Sequence, residues 1–425
     1  MNSPAVVIAV SQWPASGSGG PAGFAYLLLK SLLVQLDHDF DYYLLVTGCR
    51  RIVRLRSVEE LERLVVHSIK MKTTLIGQLR QIAVKRLPLS PCRPIRNCVT
   101  LIRQWRARKD ELHIYKLLED LCRRHSSIIC HAHSPVVTAK LVEACRLLNS
   151  IRIIHTEHTK GGAEREYCQL VRCTEAPDRA QTWIRSQYAA AFLNARTITF
   201  PSDGAVALFE ENSPLPLDSV RKRVLVIRSG ISIDDEPKSA HTVGRLRPTV
   251  FAIAQHVPEK GIDRMLHAVK ACHSAGVPLV LRIAGAETVL SPSLYRLRDE
   301  LNLREHIVFL GAVPHPKIVQ ELRECDLYLA CPRVVVFDLS LLEAMASGTP
   351  IITSRLPGNV EALGEDYTGY FESDSELPAL MQLFLRNPQM AETLGNANRT
   401  RCKAEFSLNR MAERYRELYN STFAQ

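Results

Sequence analysis

Leu339-Ser-Leu-Leu-Glu-Ala-Met-Ala-Ser-Gly-Thr-Pro-Ile-Ile-Thr353 is the stretch whose reading decides the fold. Leu339, Leu342, Met345 and Ala346 recur at helical spacing and line one face of a short helix. Gly348 stands where a left-handed cap would end that helix, and Pro350 opens a β-branched run that reads as a buried strand. Glu343 is thereby held on a short helix between two strands. A carboxylate so placed can accept hydrogen bonds from two neighbouring hydroxyls at once, as on a nucleotide ribose; a solvent-facing helix glutamate has the same local pattern.

The neighbouring segments extend the pattern. Val257-Pro-Glu-Lys-Gly-Ile-Asp263 follows the apolar run Val250 to Ala254, so Lys260 occupies a strand-to-helix loop, a usual place to meet phosphate. Leu281-Arg-Ile-Ala-Gly285, Ile307-Val-Phe-Leu-Gly-Ala-Val-Pro314 and Cys325-Asp-Leu-Tyr-Leu-Ala330 repeat strand-then-turn in order. Together these segments resemble the C-terminal domain of the family 4 glycosyltransferases, over roughly residues 249–420, with the N-terminal half similar only loosely. The resemblance implies an α/β protein of GT-B fold, two Rossmann-like doubly wound domains facing across a cleft. It further implies a nucleotide-sugar donor held by the C-terminal domain, retention of anomeric configuration, and neither metal nor other cofactor. On that resemblance Gln255, Lys260, Gly285, Phe337, Asp338, Leu339 and Glu343 belong to the donor site.

Length and composition agree with two domains. The chain has 425 residues, 46% hydrophobic and 23% charged, the balance of a globular protein with about 200 residues per core. No run approaches the roughly 18 to 20 apolar residues that span a bilayer. Met1 to Val10 lacks a positive leader and reads as a first strand. The 12 cysteines include no C-x-x-C pair, which argues against a zinc site or a disulfide framework and for a reducing cytoplasm.

The N-terminal half alternates strand and helix: Ala5 to Val10, a helix from about Ala22 to Leu36, then strands at Tyr42 to Thr47, Ser127 to His131, Ile151 to His155, Thr197 to Pro201 and Val224 to Ile227. Such alternation implies a parallel sheet covered on both faces. We expect an N-terminal domain over residues 1–231, a polar linker at 232–248, and a nucleotide-sugar-binding domain over 249–403. A C-terminal helix at 404–425 should cross back to the N-terminal domain, as the resemblance implies.

In this half, Ser16-Gly-Ser-Gly-Gly-Pro-Ala-Gly23 joins the first strand to the first helix, and Gly19 and Gly20 let backbone approach an anionic ligand closely. His131-Ala-His133 closes a strand with both imidazoles on one face. His133 matches a family histidine placed beside the transferred sugar, so the resemblance makes His133 and Glu343 the catalytic candidates. His131, with His158 and Gly161 of a second strand-end loop, is expected to line the acceptor side. Surface-loop and hydrogen-bonded-histidine readings of these residues stay open.

Four positions depart from the family pattern. Gln255 stands where an arginine is usual, Val335 where the first of two glutamates is usual, and Val336 and Asp338 where the two glycines of a Gly-aromatic-Gly segment are usual. Valine accepts no hydrogen bond, and Asp338 is well placed to N-cap the following helix, where its charge repels a nearby anion. Losing one charged hydrogen bond costs roughly 1.5 to 3 kcal/mol. Arg228 or Arg333 could offset such losses.

The charge is local. Between residues 50 and 109, sixteen Lys and Arg oppose only Glu59, Glu60 and Glu62, an excess of +13 against +10 for the whole chain. An apolar stripe from Leu61 to Ala83 and a Trp105 cluster edged by arginines suit an anionic membrane surface, or else a core-facing helix with a solvated basic face. No pattern for nucleic acid accompanies the charge. The expected function is transfer of a hexose-type unit to a lipid-linked or polysaccharide acceptor in cell-envelope biosynthesis, by a cytoplasmic protein peripheral on the inner face of the cytoplasmic membrane. Two alternatives stay open: a non-catalytic subunit of another glycosyltransferase, acting as its protein partner, and a soluble transferase acting on a small metabolite.

Overall fold

The structure is a computed structural model, and it describes residues 3–11, 20–35, 40–47, 51–64, 111–159, 161, 178–213, 215–233 and 247–424. Gly19, most of the expected linker, and residues 65–109 of the basic segment lie outside the described residues. The chain divides into two compact units, Met1–Arg228 with Met411–Gln425, and Ser229–Arg410.

Among the described residues the first unit is built on seven strands: β1 (Ala5–Val10), β2 (Asp41–Val46), β3 (Arg51–Leu55), β4 (Ile128–Ala132), β5 (Ile151–Thr156), β6 (Thr197–Phe200) and β7 (Val224–Val226), in the order β3-β2-β1-β4-β5-β6-β7. Helices α1 (Gly20–Val34), α2 (residues 111–122), α3 (Pro135–Cys145), α4 (Asp178–Asn194) and α5 (Asp203–Asn212) belong to the same unit. Every residue of β1 is buried, which its unbroken apolar run requires of a strand covered on both faces. Ala5, Val7 and Ala9 share a core with Ile114, Leu118 and Leu121 of α2 and Val137 and Leu141 of α3. One strand departs from the expected all-parallel sheet: β3 runs antiparallel to β2. Only residues 47–50 join the two, too few for a parallel crossover. Arg51 and Arg54 are exposed on β3, the kind of charge that discourages further pairing at an edge.

The second unit holds six parallel strands, β8 (Thr249–Ile253), β9 (Val280–Ala284), β10 (Ile307–Gly311), β11 (Leu327–Ala330), β12 (Ile351–Ser354) and β13 (Tyr370–Phe371), ordered β10-β9-β8-β11-β12-β13. Its helices are α6 (Ile262–Ser274), α7 (Ser291–Glu300), α8 (His315–Glu324), α9 (Leu339–Ala346), α10 (Pro357–Leu363), α11 (Leu377–Arg386) and α12 (Pro388–Glu405). Period-2 alternation along β8 sends Val250 and Ala252 into one core and Phe251 into another, so both faces of the sheet are covered. The strand order reverses between β8 and β11. In open α/β sheets that reversal leaves a crevice at the carboxyl ends of the strands, where ligands bind.

Helix α13 (Leu408–Ala424) follows, and from Met411 onward it belongs to the first unit. Its Tyr415 and Tyr419 are fully buried there. At its start, Ile231 bridges to Ser407, and a Cβ on Gly230 would stand 2.5 Å from the Ser407 carbonyl oxygen. Among the described residues no helix is long and apolar enough to cross a membrane.

Candidate functional site

The reversal in the second sheet is where the sequence-derived donor residues collect. From β8 the chain passes through an exposed Gln255 into a single 3-10 turn at Pro258–Lys260. Gly261 then takes a left-handed φ of 64° and starts α6. A Cβ there would stand 2.0 Å from the Cys331 carbonyl oxygen, so only glycine fits where this turn meets the end of β11. Gly285 serves the adjoining strand end in the same way: its Cβ would lie 1.9 Å from the Ala254 carbonyl oxygen.

Arg333 pins this turn from the β11 side. Its amide donates to the Glu259 carbonyl at 2.8 Å, and its guanidinium donates to the Pro258 carbonyl at 2.7 Å and to the Asp263 carboxylate at 2.9 and 2.6 Å. Arg333 is therefore a brace between loops, and its charge is already answered by Asp263. Arg228 lies in the first unit, 3.9 Å from Asp203.

Lys260 Nζ lies 3.3 Å from Asp338 Oδ2. Asp338 also N-caps α9, its Oδ1 accepting from the Ser340 amide at 3.1 Å and from the Ser340 hydroxyl at 2.5 Å. Burial by itself would raise the Asp338 pKa, but the Lys260 ammonium and the Ser340 hydrogen bonds outweigh it and hold the carboxyl below its ordinary value. Four residues beyond Leu339, Glu343 sits half-buried on α9 with its Oε1 2.9 Å from Nε2 of His315, the first residue of α8. His315 was not singled out from the sequence; its position directly after the strand-end Val313-Pro314 is the signal that could have marked it. Phe337 and Leu339 pack on the core of this unit, Phe337 with its ring 5.8 Å from that of Phe406. Val335 is half-buried beside them. This unit therefore offers an ammonium, a second carboxylate with an imidazole, and glycine-floored strand ends, a set suited to an anion joined to a polyhydroxyl group.

In the first unit, Gly20 opens α1, and Phe24 on that helix packs its ring 5.4 Å from His133 and 4.8 Å from His158. His133 follows β4, with Nδ1 3.3 Å from His158 Nε2, and its Nε2 is buried with no hydrogen-bond partner among the described residues. His131 is spent differently. Its Nδ1 lies 2.7 Å from the Tyr419 hydroxyl and its Nε2 2.6 Å from the Thr156 hydroxyl, so it fastens α13 and presents no free ring nitrogen to a ligand. Burial pushes His131 and His133 well below the ordinary imidazole range and His158 to about 4, so all three rings are neutral at pH 7. Gly161, with φ of 82°, packs against α5, where a Cβ would lie 2.7 Å from the Phe209 carbonyl oxygen. Glu157, in the same strand-end loop as His158, is a buried carboxylate. It accepts from His155 at 3.1 Å and from the Thr159 amide at 2.6 Å, bonds that outweigh burial and keep it ionised.

Residues 235–401 match the family model described as Glycosyl transferases group 1. Over 163 residues the chain is 26% identical to a GDP-mannose-dependent alpha-(1-6)-phosphatidylinositol monomannoside mannosyltransferase of Mycolicibacterium smegmatis, covering 36% of this chain and 42% of that protein. It is 30% identical over 190 residues to an MMP alpha-(1->4)-mannosyltransferase of Mycolicibacterium hassiacum, covering 43% and 45%. A glycogen synthase of Mycobacterium tuberculosis is 26% identical over 199 residues, covering 46% and 48%. The chain thus spans about half the length of the curated relatives it matches. Among solved structures, a sucrose-phosphate synthase from Thermosynechococcus elongatus superposes with a TM-score of 0.68 at 17% identity over 99% of both chains. Anabaena HepE in complex with UDP and glucose gives 0.64 at 15% identity over 98% and 99%. At these identities the likeness shows the fold, which is GT-B.

Proposed function

This chain belongs, through residues 235–401, to the glycosyl transferases group 1 family, and on that premise we propose that it moves a hexose-type sugar from a nucleotide-sugar to a lipid-linked or polysaccharide acceptor. The observation that carries the reading is that Lys260 and Glu343 lie in the turn and helix that follow β8 and β11, the two strands flanking the reversal of the sheet, with Lys260 held to the Asp338 that caps the Glu343 helix. Lys260 stabilises the nucleoside diphosphate as it gathers charge on leaving. Glu343, oriented by His315, accepts hydrogen bonds from the ribose hydroxyls. In the first unit, the Nε2 of His133, buried without a hydrogen-bond partner among the described residues, is the atom we assign to a sugar hydroxyl. Retention of configuration and metal independence go with the family reading. That the relatives include mannosyltransferases and a glycogen synthase supports a hexose donor.

Calorimetry with UDP, GDP and ADP tests the donor site. Lys260→Ala and Glu343→Ala should each weaken binding of the preferred diphosphate by roughly tenfold or more, the loss expected for one charge-assisted hydrogen bond. Parent-like binding by both variants overturns the assignment. A second reading, a non-catalytic subunit of another glycosyltransferase, is favoured by one observation: Lys260 is already paired with Asp338. Steady turnover by the isolated chain with any nucleotide-sugar removes that reading, and inactivity with co-purification of a second glycosyltransferase supports it.

A further inference from the structure

Lys260 and Asp338 are 78 positions apart in sequence, and the fold brings them together at the ends of the two strands flanking the reversal. The aspartate side chain is only 9% exposed and the lysine 32%, so the carboxylate lies deeper than the ammonium it holds. Its other oxygen takes the Ser340 amide at the start of α9. A cation at a strand end and amides at a helix start are the two devices that otherwise bind an incoming anion. Here one resident carboxylate engages both. We propose that Asp338 is a built-in competitor for the phosphate position of this site, and so the residue that sets how strongly the chain prefers a nucleoside diphosphate over the uncharged nucleoside. A diphosphate binds by drawing Lys260 away from Asp338, and the buried carboxylate left beside it repels the newcomer. Contacts to the base and ribose are untouched by this competition. The inference rests on the reading of Lys260 as the donor-site cation.

Asp338→Asn tests it, because asparagine keeps a good N-cap for α9 while removing the charge. Asp338→Ser is the second variant with the same cap function. Thermal melts establish that each is folded, and calorimetry is run with UDP, GDP, uridine and guanosine. The expected result is a gain of roughly ten- to a hundredfold for the diphosphate with no change for the matching nucleoside, and loss of that gain when Lys260→Ala is added. Diphosphate affinity unchanged or lowered in both folded variants, with the parent binding normally, overturns the competitor while leaving the donor site standing. No diphosphate binding by parent or variants at millimolar concentration overturns the donor site and the competitor with it.

Discussion

Single atoms decide how the loops of the second unit meet, and Gly285 shows the strongest constraint. Its φ is ordinary, so no backbone preference demands glycine; the demand comes from the Ala254 carbonyl oxygen, 1.9 Å from where a Cβ would be, and the Gln255 amide nitrogen at 2.8 Å. Gly276 is the reverse case, with φ of 73° and nothing within 4 Å of its Cβ position. Gly285→Ala should therefore cost more than about 2 kcal/mol, because backbone must move, whereas Gly276→Ala should cost about 1 to 2 kcal/mol of left-handed strain. Urea denaturation of both variants checks the ranking, and equal losses would contradict it. Because Gln255 leads towards Lys260, Gly285→Ala should also disturb diphosphate binding, which Gly276→Ala should leave alone. At this scale the sequence was informative where the cause is local: an aspartate immediately before an apolar helix reads as an N-cap, and Asp338 caps α9. It was silent on partners brought together by the fold, so the Lys260 contact to the same Asp338 and the His315 contact to Glu343 were not foreseen.

Among the elements, α13 depends on polar contacts that no spacing rule reveals. His131 and Tyr419 are 288 positions apart, and their 2.7 Å hydrogen bond lies where both are fully buried. Strand existence was legible because long apolar runs between turn residues leave few alternatives, and the expected strand ends fall within a residue or two of those observed. The antiparallel β3 was not, because it sits in a basic stretch whose charges hide a short half-exposed strand. Three histidines of this unit, of which His131 bonds α13, make it acid-sensitive. His158 is held neutral with its pKa at about 4, His131 and His133 are depressed in the same direction, and in the unfolded chain all three titrate near the ordinary value of about 6.5. Below that pH the unfolded state binds more protons than the native one, so stability is full above about 6.5 and falls as pH drops towards 4. Urea midpoints between pH 7.5 and 5 should decline. His158→Gln, which cannot titrate, should flatten the decline, and an unchanged slope would remove His158 as its source.

For the whole molecule, the +10 net charge has a single origin. Residues 50–109 carry +13 and the remainder is slightly acidic, so any attraction of the chain to an anionic surface is an attraction of that segment. At about 1 kcal/mol for each basic residue near an anionic leaflet, engaging even part of the segment outweighs the weak repulsion from the acidic remainder. The described part of the segment shows β3 with Arg51 and Arg54 exposed. An acceptor carried on a lipid would then be met at the surface where it resides, which ties the proposed substrate class to the charge. Sedimentation with vesicles should show binding that requires anionic lipid, and raising salt from 50 to 500 mM should release the protein, since the screening length shortens from roughly 14 Å to about 4 Å. Replacing Arg103, Arg106, Arg108 and Lys109 by glutamine should weaken that binding without altering diphosphate affinity, because Lys260 and Glu343 belong to the other unit. Equal partition onto neutral and anionic vesicles would remove the membrane reading and shift the acceptor towards a soluble metabolite.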